Sequence, residues 1–199
     1  MPKTDSALDA LLIRARACTA CDGLPLGPLP LVRAGATARL LIISQAPGTK
    51  AHASGLSFDD PSGDRLRSWL GMDRETFYDE GRVAIMPMGF CYPGRLPRGG
   101  DAPPRPECAP LWHEPILAAM PDVALTLYVG SYAIKGYLPG YRTMTAAVAD
   151  WRGHGPDSLP LPHPSWRTNA WEKKNPWFTE ELLPELRRRV GALGLSSGV

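Results

Sequence analysis

Residues 39 to 44, Arg39-Leu-Leu-Ile-Ile-Ser44, form the clearest strand of this sequence. A short, continuous apolar run of this kind is typical of a strand in a parallel sheet that is covered on both faces. The run stops at Gln45-Ala46-Pro47-Gly48, where proline and glycine favour a turn. The sequence therefore predicts a buried strand that ends in a turn, and the other elements can be placed around it.

Three later apolar runs repeat this pattern, at 83–86, 123–129 and, less clearly, 159–161. Helical patterns precede, separate and follow the runs, at 8–15, 64–70, 106–120, 132–138 and about 176–190. Alternating strands and helices predict an α/β fold, a three-layer αβα sandwich around a four-stranded, mainly parallel sheet. We expect the segments after the four strands, 45–48, 87–91, 130–131 and 162–165, to converge on one edge, where such sheets bind ligands.

The bulk composition indicates an ordinary globular chain. Its 199 residues, 44% hydrophobic, suffice for one buried core, so we predict one domain, 1–199, with 191–199 as a flexible tail. The net charge of +2 is too small to indicate nucleic-acid binding by itself. The N-terminal residues lack the pattern of a signal peptide, and no apolar run is long enough to span a bilayer. We therefore expect a cytoplasmic protein that makes no membrane contact, and we also expect it to be a monomer.

The four cysteines form the most specific pattern. Cys18 and Cys21 are separated by two residues, and Cys91 and Cys108 by sixteen. In a reducing compartment such residues are more often metal ligands or catalytic thiols than disulfides. The wide second interval disfavours a zinc ribbon and suits a 4Fe-4S cluster, whose ligands can be widely spaced. Zinc, buried unligated thiols and a thioredoxin-like redox pair remain as less favoured alternatives.

With these motifs in place, the chain resembles the uracil-DNA glycosylase superfamily, specifically the iron-sulfur families four and five. The resemblance covers roughly residues 10–190. Its motifs occur in the family's order: the early cysteine pair, the turn 45–48, Gly55-x-x-Phe58 followed by Ser62-Gly63, the two distant cysteines, and His163-Pro164-Ser165. The resemblance implies a cluster on Cys18, Cys21, Cys91 and Cys108, and hydrolysis of the N-glycosidic bond of a base flipped out of DNA.

The resemblance also implies residue roles. Phe58 would stack on the flipped base and His163 would donate to its oxygen, in a pocket that includes Ser165 and the turn formed by Gln45, Ala46, Pro47 and Gly48. Family four carries its water-activating acid in that turn, but none is present here. Asp60 is the expected acid instead, with Asp59 and His52 as alternatives.

Substrate choice and DNA contacts are predicted in the same way. Pro87 stands where uracil-specific relatives have an asparagine, so a broader or different deaminated base, such as hypoxanthine, is expected. Residues expected to contact DNA are Trp166, Arg167, Lys173, Lys174, Arg95 and Arg98. Arg65 and Arg67 are expected on a solvated helix face. The predicted function is a monofunctional DNA glycosylase acting on deaminated bases, and the alternative is a non-catalytic module that binds DNA lesions or abasic sites.

Overall fold

Four parallel strands form one sheet in the computed structural model, which describes residues 3–196. The sheet contains β1 (Leu40–Ile43), β2 (Val83–Ile85), β3 (Leu125–Val129) and β4 (Ser158–Leu161). Their order is β2-β1-β3-β4, and every pairing is parallel. The strand predicted at 39–44 is thus a central strand, and all four residues of β1 are buried. The predicted α/β fold is confirmed.

Helices cover both faces of the sheet. Alternate residues of β1 point to opposite faces, so Leu40 and Ile42 join one apolar cluster while Leu41 and Ile43 join another. The first cluster includes residues of α3, α7 and α9, and the second includes residues of α1 and α5. The helices are α1 (Lys3–Arg16), α2 (Thr49–Ser54), α3 (Pro61–Leu70), α4 (Arg74–Tyr78), α5 (Cys108–Ala118), α6 (Ser131–Tyr137), α7 (Met144–Ala149), α8 (Thr168–Lys174) and α9 (Leu183–Ala192).

The structure differs from the sequence prediction in its short elements. Helices α2, α4, α7 and α8, of five to seven residues each, were not predicted. The last predicted helix is divided into a π-helical turn, Phe178–Leu182, and α9. Of the predicted tail 191–199, the first two residues belong to α9 and Leu195 is buried, whereas residues 197–199 lie outside the described part. Within residues 3–196, no helix is both long and apolar enough to cross a membrane.

Candidate active site and cysteine pocket

A cavity of about 530 Å³ opens where the strands of the sheet end. The segment after β1 contributes Gln45 to Gly48, the segment after β2 contributes Pro87, and the segment after β4 contributes His163 and Ser165. The segment after β3 contributes Tyr132, in the first turn of α6. The structure thus brings together at one sheet edge segments that are far apart in the sequence.

Phe58 lines this cavity in an unusual backbone conformation. Its φ of +60° is left-handed, and it is the only non-glycine residue with a positive φ among those described. For an L-residue this conformation costs roughly 1–2 kcal/mol. The start of α3 holds it there: a Cβ on Gly63 would lie 1.7 Å from the carbonyl oxygen of Phe58, so only glycine permits this approach. The ring also packs edge-on against Phe77, with centroids 6.1 Å apart. The strained backbone therefore places an aromatic side chain in the cavity wall.

The structure separates the two neighbouring aspartates. Asp60 lines the cavity and caps α3, where one carboxylate oxygen accepts the Gly63 N–H at 2.9 Å. The cap orients this carboxylate at the cavity wall. Asp59 instead forms an ion pair with Arg74 at 2.8 Å, and the hydrogen bond from Arg74 lowers the pKa of Asp59. Asp59 is not among the residues that line the cavity.

His163 lines the cavity near two acids, Asp60 and Asp101. Gly130, at the end of β3, approaches it so closely that an added Cβ would lie 3.4 Å from the Cβ of His163. Burial lowers the pKa of His163, although the negative charges of Asp60 and Asp101 oppose this shift. The imidazole is therefore neutral at pH 7, with one N–H available to donate. Its loop is fixed by Thr168, whose hydroxyl donates to the His163 carbonyl.

His52, the remaining predicted catalytic residue, lies outside the cavity lining. It belongs to α2, and its ring is 6.2 Å from the ring of Tyr92. Its Nδ1 is buried and makes no hydrogen bond among the described residues. The structure thus places the His52 side chain against Tyr92, in the loop that follows Cys91.

Three residues at or near the site were missed or misplaced by the sequence prediction. Asp101 lines the cavity from the loop between Cys91 and Cys108, and nothing in its local sequence distinguishes it from an ordinary loop aspartate. Arg65 was expected on a solvated face, which is wrong. It donates to the Ser165 carbonyl at 3.0 Å and pairs with Glu172 at 2.7 Å, so it braces the loop that carries His163. Arg67, expected on the same face, is also wrongly placed, since it is 7% exposed and packs over Phe77.

The mouth of the cavity carries exposed apolar and cationic side chains. Trp166 is 76% exposed and Leu96 is 47% exposed, and both border the cavity. Arg95 and Arg167 also border it, and the Arg167 guanidinium lies 5.7 Å from the centre of the Trp166 ring. Three further predicted contacts are exposed but lie outside the lining: Arg98, Lys173 and Lys174.

The four cysteines line a second, smaller pocket together with Phe90, Arg105 and Trp112. Burial raises the pKa of Cys108 to about 12, even though the Phe90 N–H donates to its sulfur at 3.2 Å. Burial also raises the pKa values of Cys21 and Cys91. As free groups these three are therefore neutral thiols at pH 7. Across residues 3–196, no set of three or more His, Cys, Asp or Glu side chains is arranged to hold a metal ion.

Two hydrogen-bond donors at this pocket have no acceptor among the described residues. They are Nε of Arg105 and Nε1 of Trp112, both of them buried. Leaving a buried donor unpaired costs about 1–3 kcal/mol. Arg105 is held in position by its other nitrogen, Nη2, which donates to the carbonyls of Asp22 and Gly23. The chemistry of the lining, with four thiols and two unpaired donors, suits a bound group rich in acceptor sulfur.

Comparison with known families adds one finding to this geometry. The family model described as the uracil DNA glycosylase superfamily matches residues 33–187, more than three quarters of the chain. The match includes the segments that line the large cavity, from Ser44 to Arg167, and the last two cysteines. Cys18 and Cys21 lie before the matched region.

Proposed function

The chain belongs to the uracil DNA glycosylase superfamily, and we propose that it hydrolyses the N-glycosidic bond of deaminated bases in DNA. The observation that carries the proposal is the convergence of Phe58, Asp60 and His163 on one cavity at the sheet edge. These residues supply an aromatic face, a carboxylate and a neutral hydrogen-bond donor. Hydrolysis of a flipped base requires all three.

The proposed reaction begins with a base rotated out of the DNA stack into the cavity. The Phe58 ring would replace part of the stacking that the base loses. As the bond breaks, its electron pair leaves with the base and positive charge develops on the sugar. Neutral His163 would donate to the base oxygen where the negative charge develops, which favours departure.

Asp60 would accept a proton from the attacking water while the water oxygen forms its bond to the sugar carbon. One carboxylate oxygen is used by the helix cap, so the other is available for water. Since Asp59 is paired with Arg74, it is the less suitable acid. A positioned general base accelerates such steps by about 10²- to 10⁴-fold.

The proposed substrate range extends beyond uracil. Pro87 lines the cavity and has no side-chain amide with which to read the edge of a base. A pocket without that selective hydrogen bond discriminates weakly between related bases. Hypoxanthine is therefore proposed as a second substrate.

We propose a 4Fe-4S cluster as the resident group of the cysteine pocket, held by Cys18, Cys21, Cys91 and Cys108. The pocket lining and the two unpaired donors at Arg105 and Trp112 support it. When bound, the group would supply structural cross-linking of chain segments rather than chemistry on the base. It would fix the two ends of the loop 91–108, whose tip borders the large cavity.

The mouth of the cavity is proposed to bind DNA. Trp166 would fill the gap left by the flipped base, as an apolar wedge inserted between base steps. The cations around it, Arg95, Arg98, Arg167, Lys173 and Lys174, would pair with phosphates. We propose that the protein acts as a cytoplasmic monomer.

The proposal is tested with single-lesion oligonucleotides that contain uracil or hypoxanthine, followed by alkaline cleavage at abasic sites. Activity should appear with the wild type and fall about 10²- to 10⁴-fold in Asp60→Asn, while Asp122→Asn, an exposed aspartate outside the cavity lining, should retain it. Tight lesion binding without product from either base would instead favour a non-catalytic binding module. The turn 45–48, which lacks an acid, is the feature that favours this second candidate.

The cofactor is tested separately on the purified protein. A brown preparation with iron and acid-labile sulfide is expected. A colourless preparation with one zinc per chain would contradict the cluster.

A further inference from the structure

We propose that Asp101 is a second carboxylate of the cavity, and that it stabilises the positive charge on the sugar of the departing base. This inference rests on the proposed glycosylase function and assigns a further residue to it. Asp60 would then handle the water, while Asp101 would act on the sugar without accepting a proton.

The position of Asp101 supports this role. It lines the same cavity as Phe58 and Asp60, although it comes from a different loop. Its Oδ2 would lie 3.5 Å from a Cβ added to Gly48, so the carboxylate lies against the turn 45–48. Its charge and that of Asp60 both act on His163. The acid that this turn lacks in its own sequence is thus supplied in space by another segment.

The loop that carries Asp101 is an ordered hairpin. Arg95 and Asp101 pair as an antiparallel bridge, and the Ala102 N–H donates to the Gly94 carbonyl at 2.8 Å. Gly99 and Gly100 form its tip with φ of +87° each, a conformation that glycine adopts without strain. These contacts fix the backbone on both sides of Asp101 within the hairpin, and the Gln45 side-chain amide, which donates to the Ala102 carbonyl at 3.5 Å, links the hairpin to the turn 45–48.

Among the described residues, the Asp101 carboxylate is not neutralised by a neighbouring cation. Within the described part of the chain, Asp101 forms no ion pair, although Arg95 and Arg167 border the same cavity. An unpaired negative charge at a DNA-binding mouth opposes the approach of phosphates. It is useful where positive charge develops, and the sugar is the group that becomes positive in this reaction.

The test measures binding to two abasic-site analogues in otherwise identical duplexes. One carries a cationic pyrrolidine in place of the sugar, and the other carries a neutral tetrahydrofuran. The wild type should prefer the cationic analogue, because it resembles the charged sugar of the transition state. Asp101→Asn should lose roughly tenfold or more of that preference, as expected for a charge at contact distance, and Asp101→Glu should restore part of it.

The control and the contrary outcomes are defined by the same assay. Asp122→Asn should keep the wild-type preference. If Asp101→Asn also keeps it, or if the wild type shows no preference at all, the role of Asp101 is refuted. The glycosylase assay on uracil and hypoxanthine is independent of this comparison, so an active wild type with an unchanged Asp101→Asn ratio refutes the inference and leaves the proposed function standing.

Discussion

Gly63→Ala tests whether the strained Phe58 backbone depends on the start of α3. In most helices this change stabilises by roughly 0.5–1 kcal/mol, because alanine restricts the unfolded chain. Here the new Cβ would lie 1.7 Å from the Phe58 carbonyl oxygen, 2.6 Å from its carbonyl carbon and 2.9 Å from its Cβ. Backbone atoms must therefore move by more than an ångström, and the Gly63 N–H would lose its bond to Asp60.

The expected effect is a net loss of stability. Overpacking costs about 1–3 kcal/mol and the lost cap about 1 kcal/mol, so the free energy of unfolding should fall by about 2 kcal/mol after the helix gain is subtracted. Urea unfolding monitored by circular dichroism measures it. Glycosylase activity should fall even where the variant is fully folded, because both Phe58 and Asp60 move.

Gly191→Ala is the matched control. Gly191 lies in α9, and the only atom among the described residues that its added Cβ would meet is the Ser196 hydroxyl oxygen, at 3.0 Å. This side-chain atom can rotate away. Its stability should be unchanged or slightly higher. A Gly63→Ala protein as stable and active as the wild type would refute the close approach between α3 and Phe58.

Further predictions concern the cofactor, pH dependence, DNA contact and base choice. Cys108→Ser should lose iron and the brown colour, as shown by visible absorption and iron analysis; unchanged iron content would remove Cys108 from the ligand set. Burial lowers the pKa of His113, whose Nε2 lies 3.0 Å from the Pro87 carbonyl oxygen. At acidic pH the His113 imidazole therefore binds a proton more readily in the unfolded state than in the folded state. The free energy of unfolding, measured with urea, should fall below about pH 6.5, and it should fall less in His113→Gln. Equal declines in the two proteins would contradict this assignment. Trp166→Ala should weaken binding to lesion-containing duplexes by about tenfold or more in fluorescence anisotropy, if it fills the vacated stack, with little change in the salt dependence. Pro87→Asn should raise the ratio of uracil to hypoxanthine cleavage in a single-turnover assay, and an unchanged ratio would show that this position does not read the base.

The fold could be predicted because burial leaves a direct mark on the sequence. In the apolar runs at 39–44 and 83–86 every residue except Arg39 is buried, as expected for strands covered by helices on both faces. The carboxyl ends of parallel strands then meet at one edge, so the cavity followed from the topology. The short helices α2 and α4 were missed because five or six residues show too little periodicity to distinguish a helix from a loop.

The details of the site could not be predicted because they depend on contacts between distant segments. Asp59 and Asp60 are adjacent and chemically identical, and only the position of Arg74 shows which one is already paired. The role of Arg65 depends on Glu172, which follows more than a hundred residues later. Asp101 lies in an irregular loop whose proximity to the turn 45–48 has no local sequence signal.

The most direct test of the central claim is to identify the products of a single turnover on DNA that contains one uracil or one hypoxanthine. Mass spectrometry should detect one free base for each abasic site formed by the wild type, and both products should form about 10²- to 10⁴-fold more slowly with Asp60→Asn at the same protein concentration. No free base and no abasic site after incubation with iron-loaded wild-type protein, for both lesions, would contradict the assignment of this cavity as a glycosylase site.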